Sequence, residues 1–243
     1  MPQGADSQQS TGEYAELAEL AGGFIHEIKN HLGTLGLNLE LLLEDFQDPQ
    51  SQRERRAFER IGRLQGECSR LVEISNDFLR FARLKDLELK PASLASIVDE
   101  LLDFFEPTAR QANIEIKCYV PADLPHLRVD RDLFKQALLN LLLNAEQAMS
   151  EGGELTIQAA REAGFVVLSL IDTGKGMTPE VMHRIFKPFF STKSGGTGLG
   201  LATTKRIIHA HHGDISVLSE VGHGTKFTIR LPVADSESLE LRA

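Results

Sequence analysis

Apolar side chains in the first third of the chain recur in steps of three and four. Leu17, Ala21, Phe24, Ile28, Leu32, Leu35, Leu39, Leu42 and Phe46 fall on one stripe, which predicts a single amphipathic helix over 13–46. Gln47-Asp48-Pro49 ends it, because proline has no N–H to continue helical hydrogen bonding. The same period returns in Phe58, Ile61, Leu64, Cys68, Leu71, Ile74, Phe78 and Phe81, predicting a second, proline-free helix over 54–84. Two long helices on a short connection make a hairpin, and a lone hairpin has too little to pack against on its open side. The pattern therefore implies a homodimer in which two hairpins form a four-helix bundle.

The character of the chain changes near residue 88, where strand-like and helix-like segments begin to alternate. Leu87 to Ser93, which contains Pro91, reads as a hinge or short strand. Helices are expected at 95–111, 131–149 and 199–211, and strands at 114–120, 126–130, 154–160, 164–171, 214–219 and 225–231. Residues 172–198 are loop-rich. Arg161-Glu162-Ala163-Gly164 suits a hairpin turn between Glu154-Leu155-Thr156-Ile157 and Phe165-Val166-Val167-Leu168. The expected fold class is α+β: an N-terminal helical hairpin over 13–88, then a domain over 92–233 with one sheet and helices on one of its faces. Polar residues 1–12 and 234–243 read as flexible tails.

Composition narrows the function classes. The 243 residues are 42% hydrophobic and 25% charged, as in ordinary globular proteins. A net charge of -9 argues against a nucleic-acid partner and against an anionic membrane surface. Met1 to Gly12 has no signal-peptide pattern, and no apolar run is long enough to span a bilayer, so the expectation is a soluble, cytoplasmic chain with no membrane segment. Cys68 and Cys118 lack metal or redox spacing and read as small apolar side chains.

Four clusters carry candidate chemistry. In His26-Glu27-Ile28-Lys29-Asn30, helical spacing lets His26, Glu27 and Asn30 share a surface, with Phe24 and Ile28 turned inward. A neutral imidazole is a nucleophile, and a neighbouring carboxylate can take its ring proton. An ordinary surface helix gives the same pattern, and position 30 is not the His that a zinc motif needs. In Asn140-Leu-Leu-Leu-Asn144 both amides point one way, as hard neutral ligands for Mg2+ or as a polar ladder. In Asp172-Thr173-Gly174-Lys175-Gly176, an apolar strand runs into an acceptor suited to an exocyclic amine such as N6 of adenine, or into a plain turn. Gly195-Gly196-Thr197-Gly198-Leu199-Gly200 precedes an apolar helix whose first N–H groups can cradle phosphate. It is neither a P-loop nor a dinucleotide fingerprint. Between these, Phe186, Phe189 and Phe190 read as a core plug or a lid, with Lys193 near a phosphate or solvated. His209, His211 and His212 look metal-binding at first, but they suit the negative end of a helix, with Gly213 as its left-handed cap.

Each signal alone is modest. Their order and spacing together resemble the ordered boxes of the two-component sensor histidine kinases, over about residues 13–232. The resemblance implies a dimerisation and phosphoacceptor hairpin followed by an ATP-binding α/β sandwich like that of gyrase-type and chaperone ATPases. It makes His26 the phosphorylated residue, Glu27 its base, and Asn30 the residue that orients a water when the partner is dephosphorylated. ATP and Mg2+ are the implied cofactors: Asn144 binds the metal, Asn140 lies near the phosphates, and Asp172 contacts adenine beside Gly174 and Gly176. Lys193, Gly196, Gly198, Leu199 and Gly200 shape the lid end and phosphate site, and Thr225 supports adenine. The related ATPases carry a Glu base at the position of Asn140, so Asn fits transfer to His better than hydrolysis.

The implied cycle has ATP bound under a lid of about 178–198, a swing on the 87–92 hinge, and transfer from His26 to an Asp on a response-regulator receiver domain. The signal would come from an upstream sensor protein or from a longer chain of which this is a part. Two departures stand out. His31 replaces a common Pro, which predicts a straighter helix, and Gln147 replaces a Lys, so one phosphate contact is lost or supplied elsewhere. The alternatives are a phosphatase-dominant protein centred on Asn30 and a catalytically silent dimeric scaffold.

Overall fold

The computed structural model of the chain describes residues 25, 27–82, 87–193 and 196–233. Two units are present. One takes in residues up to 83 together with 191–197, and the other takes in 84–190 with 198–243.

The first unit is built on two helices, α1 (27–45) and α2 (Gln52–Ala82). Helix α1 runs without interruption through His31, as expected with no Pro there. Chain order and the short 46–51 connection make the pair a hairpin. Helix α2 starts at Gln52, two residues before the expected 54, because Ser51 and Glu54 form a reciprocal cap. The Ser51 Oγ accepts the Glu54 N–H at 3.2 Å, and the Glu54 carboxylate accepts the Ser51 N–H at 3.2 Å and the Gln50 N–H at 2.7 Å. Those bonds, the one from Gln50 foremost, hold the Glu54 carboxyl below its ordinary value. Leu39, Cys68, Leu79 and Phe81 are buried, whereas Leu35, Leu42, Leu64 and Leu71 of the same stripes are exposed.

Gly66 lies inside α2 on its exposed side, with nothing within 4 Å of where a Cβ would stand. Gly66→Ala is expected to stabilise the hairpin by about 0.5–1 kcal/mol, through reduced backbone entropy in the unfolded chain. Urea denaturation checks this as a higher midpoint at unchanged slope.

The second unit is a five-stranded sheet of order β2-β4-β5-β7-β6, with β2 (Ile114–Tyr119), β4 (Gly153–Glu162), β5 (Phe165–Asp172), β6 (Asp214–Glu220) and β7 (Gly224–Pro232). Only β2 and β4 are parallel; the other neighbours are antiparallel. The sequence led us to expect one sheet. Instead β1 (Lys90–Ala92) and β3 (Leu127–Val129) pair with each other in a separate two-stranded sheet. The β4–β5 turn is also tighter than expected: both strands extend to leave only Ala163 (φ 44) and Gly164 (φ 85), the double left-handed geometry of a two-residue hairpin.

Helices α3 (Leu94–Gln111), α4 (Arg131–Ala148) and α6 (Gly200–Ala210) supply the rest of the core, and a single-turn helix, α5 (Pro179–Met182), interrupts the expected loop. Alternation along the strands sends Leu155, Ile157, Val166, Leu168, Leu170, Phe227, Ile229 and Leu231 inward, where they meet Ile97, Phe105, Phe134, Leu138, Leu141 and Ile207. Each such side chain contributes roughly 1.5–3 kcal/mol on burial. The same alternation puts Asp172 and Thr225, paired opposite each other in β5 and β7, on one sheet face.

Leu87 to Ser93, expected as a hinge or short strand, holds the short strand β1. Besides the β1–β3 pairing, the Glu88 N–H donates to Asp130 Oδ2 at 3.2 Å. Asp130 is a junction: its Oδ1 caps α4 by accepting the Leu133 N–H at 3.1 Å, and its own N–H donates to His211 Nε2 at 2.9 Å. His211 Nδ1 lies 2.7 Å from the Ile207 carbonyl, which can only accept, so the ring proton sits on Nδ1. The left-handed residue after α6 is His212 (φ 58), not Gly213. Gly213 is required for space, because a Cβ there would stand 2.6 Å from the Arg230 carbonyl oxygen. No helix among the described residues is long and apolar enough to cross a membrane.

Candidate functional site

Three parts of the second unit carry the nucleotide-side candidates. The first is the end of β5. Asp172 is 4% exposed, and its carboxylate accepts the Gly174 N–H at 2.9 Å and the Thr225 N–H. Burial pushes its carboxyl above the ordinary value of 3.8, against the pull of those two N–H groups. A folded-state value above the unfolded one means that the folded form holds the proton more tightly. Stability from this group is therefore fully present below 3.8, and it is lost as pH rises from there through the raised value. Asp172→Asn is expected to flatten that segment of the pH–stability curve, measurable by urea denaturation between about pH 3.5 and 6.

The loop after Asp172 is held by backbone bonds on both sides. Lys175 N–H donates to the Ala148 carbonyl at 3.0 Å, and Gly222 N–H donates to the Lys175 carbonyl at 2.9 Å. Its two glycines were expected to admit a base. The close approach visible here is to protein: a Cβ on Gly174 would stand 2.7 Å from the Ala148 carbonyl oxygen, and one on Gly176 (φ 65) would collide with the Glu220 carbonyl. Thr173 Oγ1 accepts the Glu154 N–H at 2.9 Å and pins the loop to β4.

The second part is α4, where Asn140 and Asn144 sit one turn apart and half-buried. Asn144 Nδ2 donates to the Asn140 carbonyl at 2.8 Å, so its Oδ1 is the atom suited to a metal. Asn140 Nδ2 donates to the Gly200 carbonyl at 3.2 Å and lies 3.4 Å from Thr204 Oγ1, tying α4 to the start of α6. Among the described residues, no group of three or more His, Cys, Asp or Glu could hold a metal ion. Amide oxygens together with ligand phosphates are the donor set on offer, which is one that Mg2+ takes.

The third part is the start of α6. Ser93, Asp130 and Thr178 cap α3, α4 and α5 with side-chain oxygens, whereas the α6 cap is Leu199, which is fully buried and has no oxygen to offer. An N-terminus without a side-chain cap suits an anion. Gly198 (φ 68) lets the chain pass close to Phe189 and Phe190; a Cβ would stand 2.5 Å from the Phe189 carbonyl carbon. Of the three Phe residues, Phe186 packs edge-on against Phe227 with centroids 6.5 Å apart, Phe190 lies under the Arg184 guanidinium at 4.3 Å, and Phe189 is exposed.

Other candidates lie elsewhere. Lys193 and Gly196 belong to the 191–197 segment, which groups with the helical unit; there Thr197 Oγ1 donates to Asp77 at 2.9 Å on α2. Glu27 and Asn30 lie on α1, both exposed. His26, Phe24 and the tails fall outside the described residues.

Sequence reasoning missed Ser219 and Thr204. Ser219 Oγ accepts the Met177 N–H at 2.9 Å and donates to the Gly224 carbonyl at 2.8 Å, joining the Asp172 loop to the start of β7. Thr204 is fully buried, and its hydroxyl bonds the Gly200 carbonyl at 3.0 Å. A hydroxyl in the apolar stripe of a helix was the available signal for Thr204; Ser219, in a polar strand, gave none.

The sequence profile of the histidine kinase-, DNA gyrase B- and HSP90-like ATPases matches residues 129–235. The chain is 35% identical over 220 residues to the signal transduction histidine-protein kinase AtoS of Escherichia coli (strain K12), which covers 90% of this chain and 35% of AtoS. It spans about a third to a half of the length of the curated relatives it matches. Among solved structures, full-length ShkA in complex with AMPPNP is 32% identical with a TM-score of 0.69, covering 90% of this chain and 46% of that one. The catalytic domain of the histidine kinase ThkA is 31% identical with a TM-score of 0.56, covering 60% of this chain and 96% of that one. With the ATPase profile on its second unit and these likenesses along most of its length, the chain belongs to the sensor histidine kinases, as a catalytic core.

Proposed function

We propose that this chain autophosphorylates on His26 with ATP and Mg2+ and passes the phosphoryl group to an aspartate of a response-regulator receiver domain. ATP supplies the γ-phosphoryl group, and Mg2+ neutralises charge on its phosphates. Residues 92–233 form the ATP-binding domain. Asp172 accepts from the adenine amine, Thr225 supports it, Asn144 Oδ1 ligates the metal, and the uncapped start of α6, from Gly198 to Gly200, faces the phosphates, with Lys193 and Gly196 at the lid end. Residues 13–88 form the dimerisation and phosphoacceptor domain. Glu27 takes the ring proton of His26, and Asn30 orients water when the regulator is dephosphorylated. The exposed Leu35, Leu42, Leu64 and Leu71 support a homodimer whose second hairpin covers them. The cytoplasm is the expected setting, with the signal coming from an upstream sensor.

The observation that carries this reading is the role of Asn140. Its amide nitrogen is a donor to Gly200 and Thr204, so at this position of α4 the chain has no carboxylate to activate a water. Transfer to a histidine is left as the productive fate of the γ-phosphoryl group. Incubation with γ-labelled ATP and Mg2+ is expected to label the protein in an acid-labile form, and an added receiver domain is expected to remove the label. Absence of label in a protein that binds ATP would overturn the kinase reading in favour of a phosphatase or a catalytically silent scaffold.

A further inference from the structure

Ser219 on β6 lies against the Asp172–Thr225 pair and has three polar contacts. Its Oγ accepts the Met177 N–H at 2.9 Å, donates to the Gly224 carbonyl at 2.8 Å, and lies 3.0 Å from Thr225 Oγ1. A serine hydroxyl has one proton. The Gly224 carbonyl can only accept, so it takes that proton. The remaining contact joins two hydroxyl oxygens and needs a proton of its own, which only Thr225 can supply. The Thr225 O–H therefore points at Ser219, and its oxygen is left as an acceptor. Its cross-strand neighbour on the same sheet face is the Asp172 carboxylate, also an acceptor, and both side chains are more than nine-tenths buried.

We propose that Ser219 is a positioning residue for base specificity: by fixing the direction of the Thr225 hydroxyl, it makes the pocket accept 6-amino purine nucleotides and reject 6-oxo ones. An adenine amine brings two N–H donors to two acceptors. The 6-oxo group of hypoxanthine brings a third acceptor, which leaves buried groups unpaired, and discrimination of this kind is the strong kind. Ser219 reaches the nucleotide only through Thr225. The inference rests on the ATP-site reading above.

The test measures autophosphorylation with ATP and with inosine triphosphate for the full chain, Ser219→Ala, Ser219→Thr and Thr225→Val. Without Ser219 the Thr225 hydroxyl turns freely and can donate to a 6-oxo group. Ser219→Ala is expected to raise the KM for ATP about tenfold and to narrow the ATP-over-inosine ratio of kcat/KM about tenfold, with kcat for ATP within about twofold. Ser219→Thr keeps the hydroxyl and is expected to keep the wild-type ratio. Thr225→Val, which removes the directed acceptor, is expected to narrow the ratio as Ser219→Ala does. Wild-type discrimination in Thr225→Val, or in a folded Ser219→Ala, overturns the proposal. A wild-type chain that binds neither nucleotide sinks the ATP site itself, and this inference falls with it.

Discussion

His26→Ala is expected to carry no acid-labile label after incubation with γ-labelled ATP and Mg2+, while binding ATP as the unaltered chain does. A nucleophile has no substitute within its own helix turn: Glu27 and Asn30 cannot form the acid-labile phosphorus–nitrogen bond, and His31 is rotated about 140° around the axis. The loss is therefore expected to reach the assay floor, at least about a thousandfold. Glu27→Gln separates base from nucleophile, because it keeps the side chain's shape and removes its basicity. The label should then appear slowly, lower in rate by roughly a hundredfold. Asn30→Ala should leave the label intact and slow the dephosphorylation of a labelled receiver domain. Equal label on wild type and His26→Ala would place the phosphoacceptor elsewhere.

Gly224→Ala is expected to unfold or cripple the second unit by about 3 kcal/mol or more. Gly224 has φ +95, and a Cβ there would collide with the Asp172 carbonyl oxygen and crowd Thr173 Cα at 2.9 Å. Backbone conformation and space act together, and neither neighbour is a flexible side-chain end. Gly222 two residues earlier separates the two effects. It has φ +80 but nothing within 4 Å of a Cβ, so Gly222→Ala should cost only the left-handed penalty, about 1–2 kcal/mol. Urea midpoints of the two variants would show the difference as steric. Equal losses would mean that the strand relaxes around Gly224.

Much of the architecture was readable because it is periodic. The stripe from Phe58 to Phe81 placed α2 to within two residues, and the Ser51–Glu54 cap accounts for the early start. The alternation in 154–171 gave β4 and β5, and Asp172 stood out because a charge ended an apolar strand. What periodicity cannot encode was missed. The strand over 126–130 and the short segment over 87–93 were expected, but their pairing with each other, across residues 90 to 129, is non-local. Which residue after α6 turns left-handed depends on where the Arg230 carbonyl and the Leu231 side chain lie, so the sequence pointed to Gly213 and the geometry gave His212. Asn140 and Asn144 were found by their spacing on one helix. Ser219, by contrast, matters through partners 42 and 5 residues away, and a lone hydroxyl in a polar strand carries no mark of that.

The Asp130 junction also fixes where the chain can be cut. Glu88, the α4 cap and His211 all meet on one residue, and β1 covers one edge of β3. A separately expressed ATPase fragment that begins at Leu87 keeps all of these bonds. One that begins at Ser93, where the main sheet's first helix starts, would strip β3 of its neighbour and expose a raw strand edge to self-association. Aggregation of such a shortened fragment would then be a property of the cut and not of the fold.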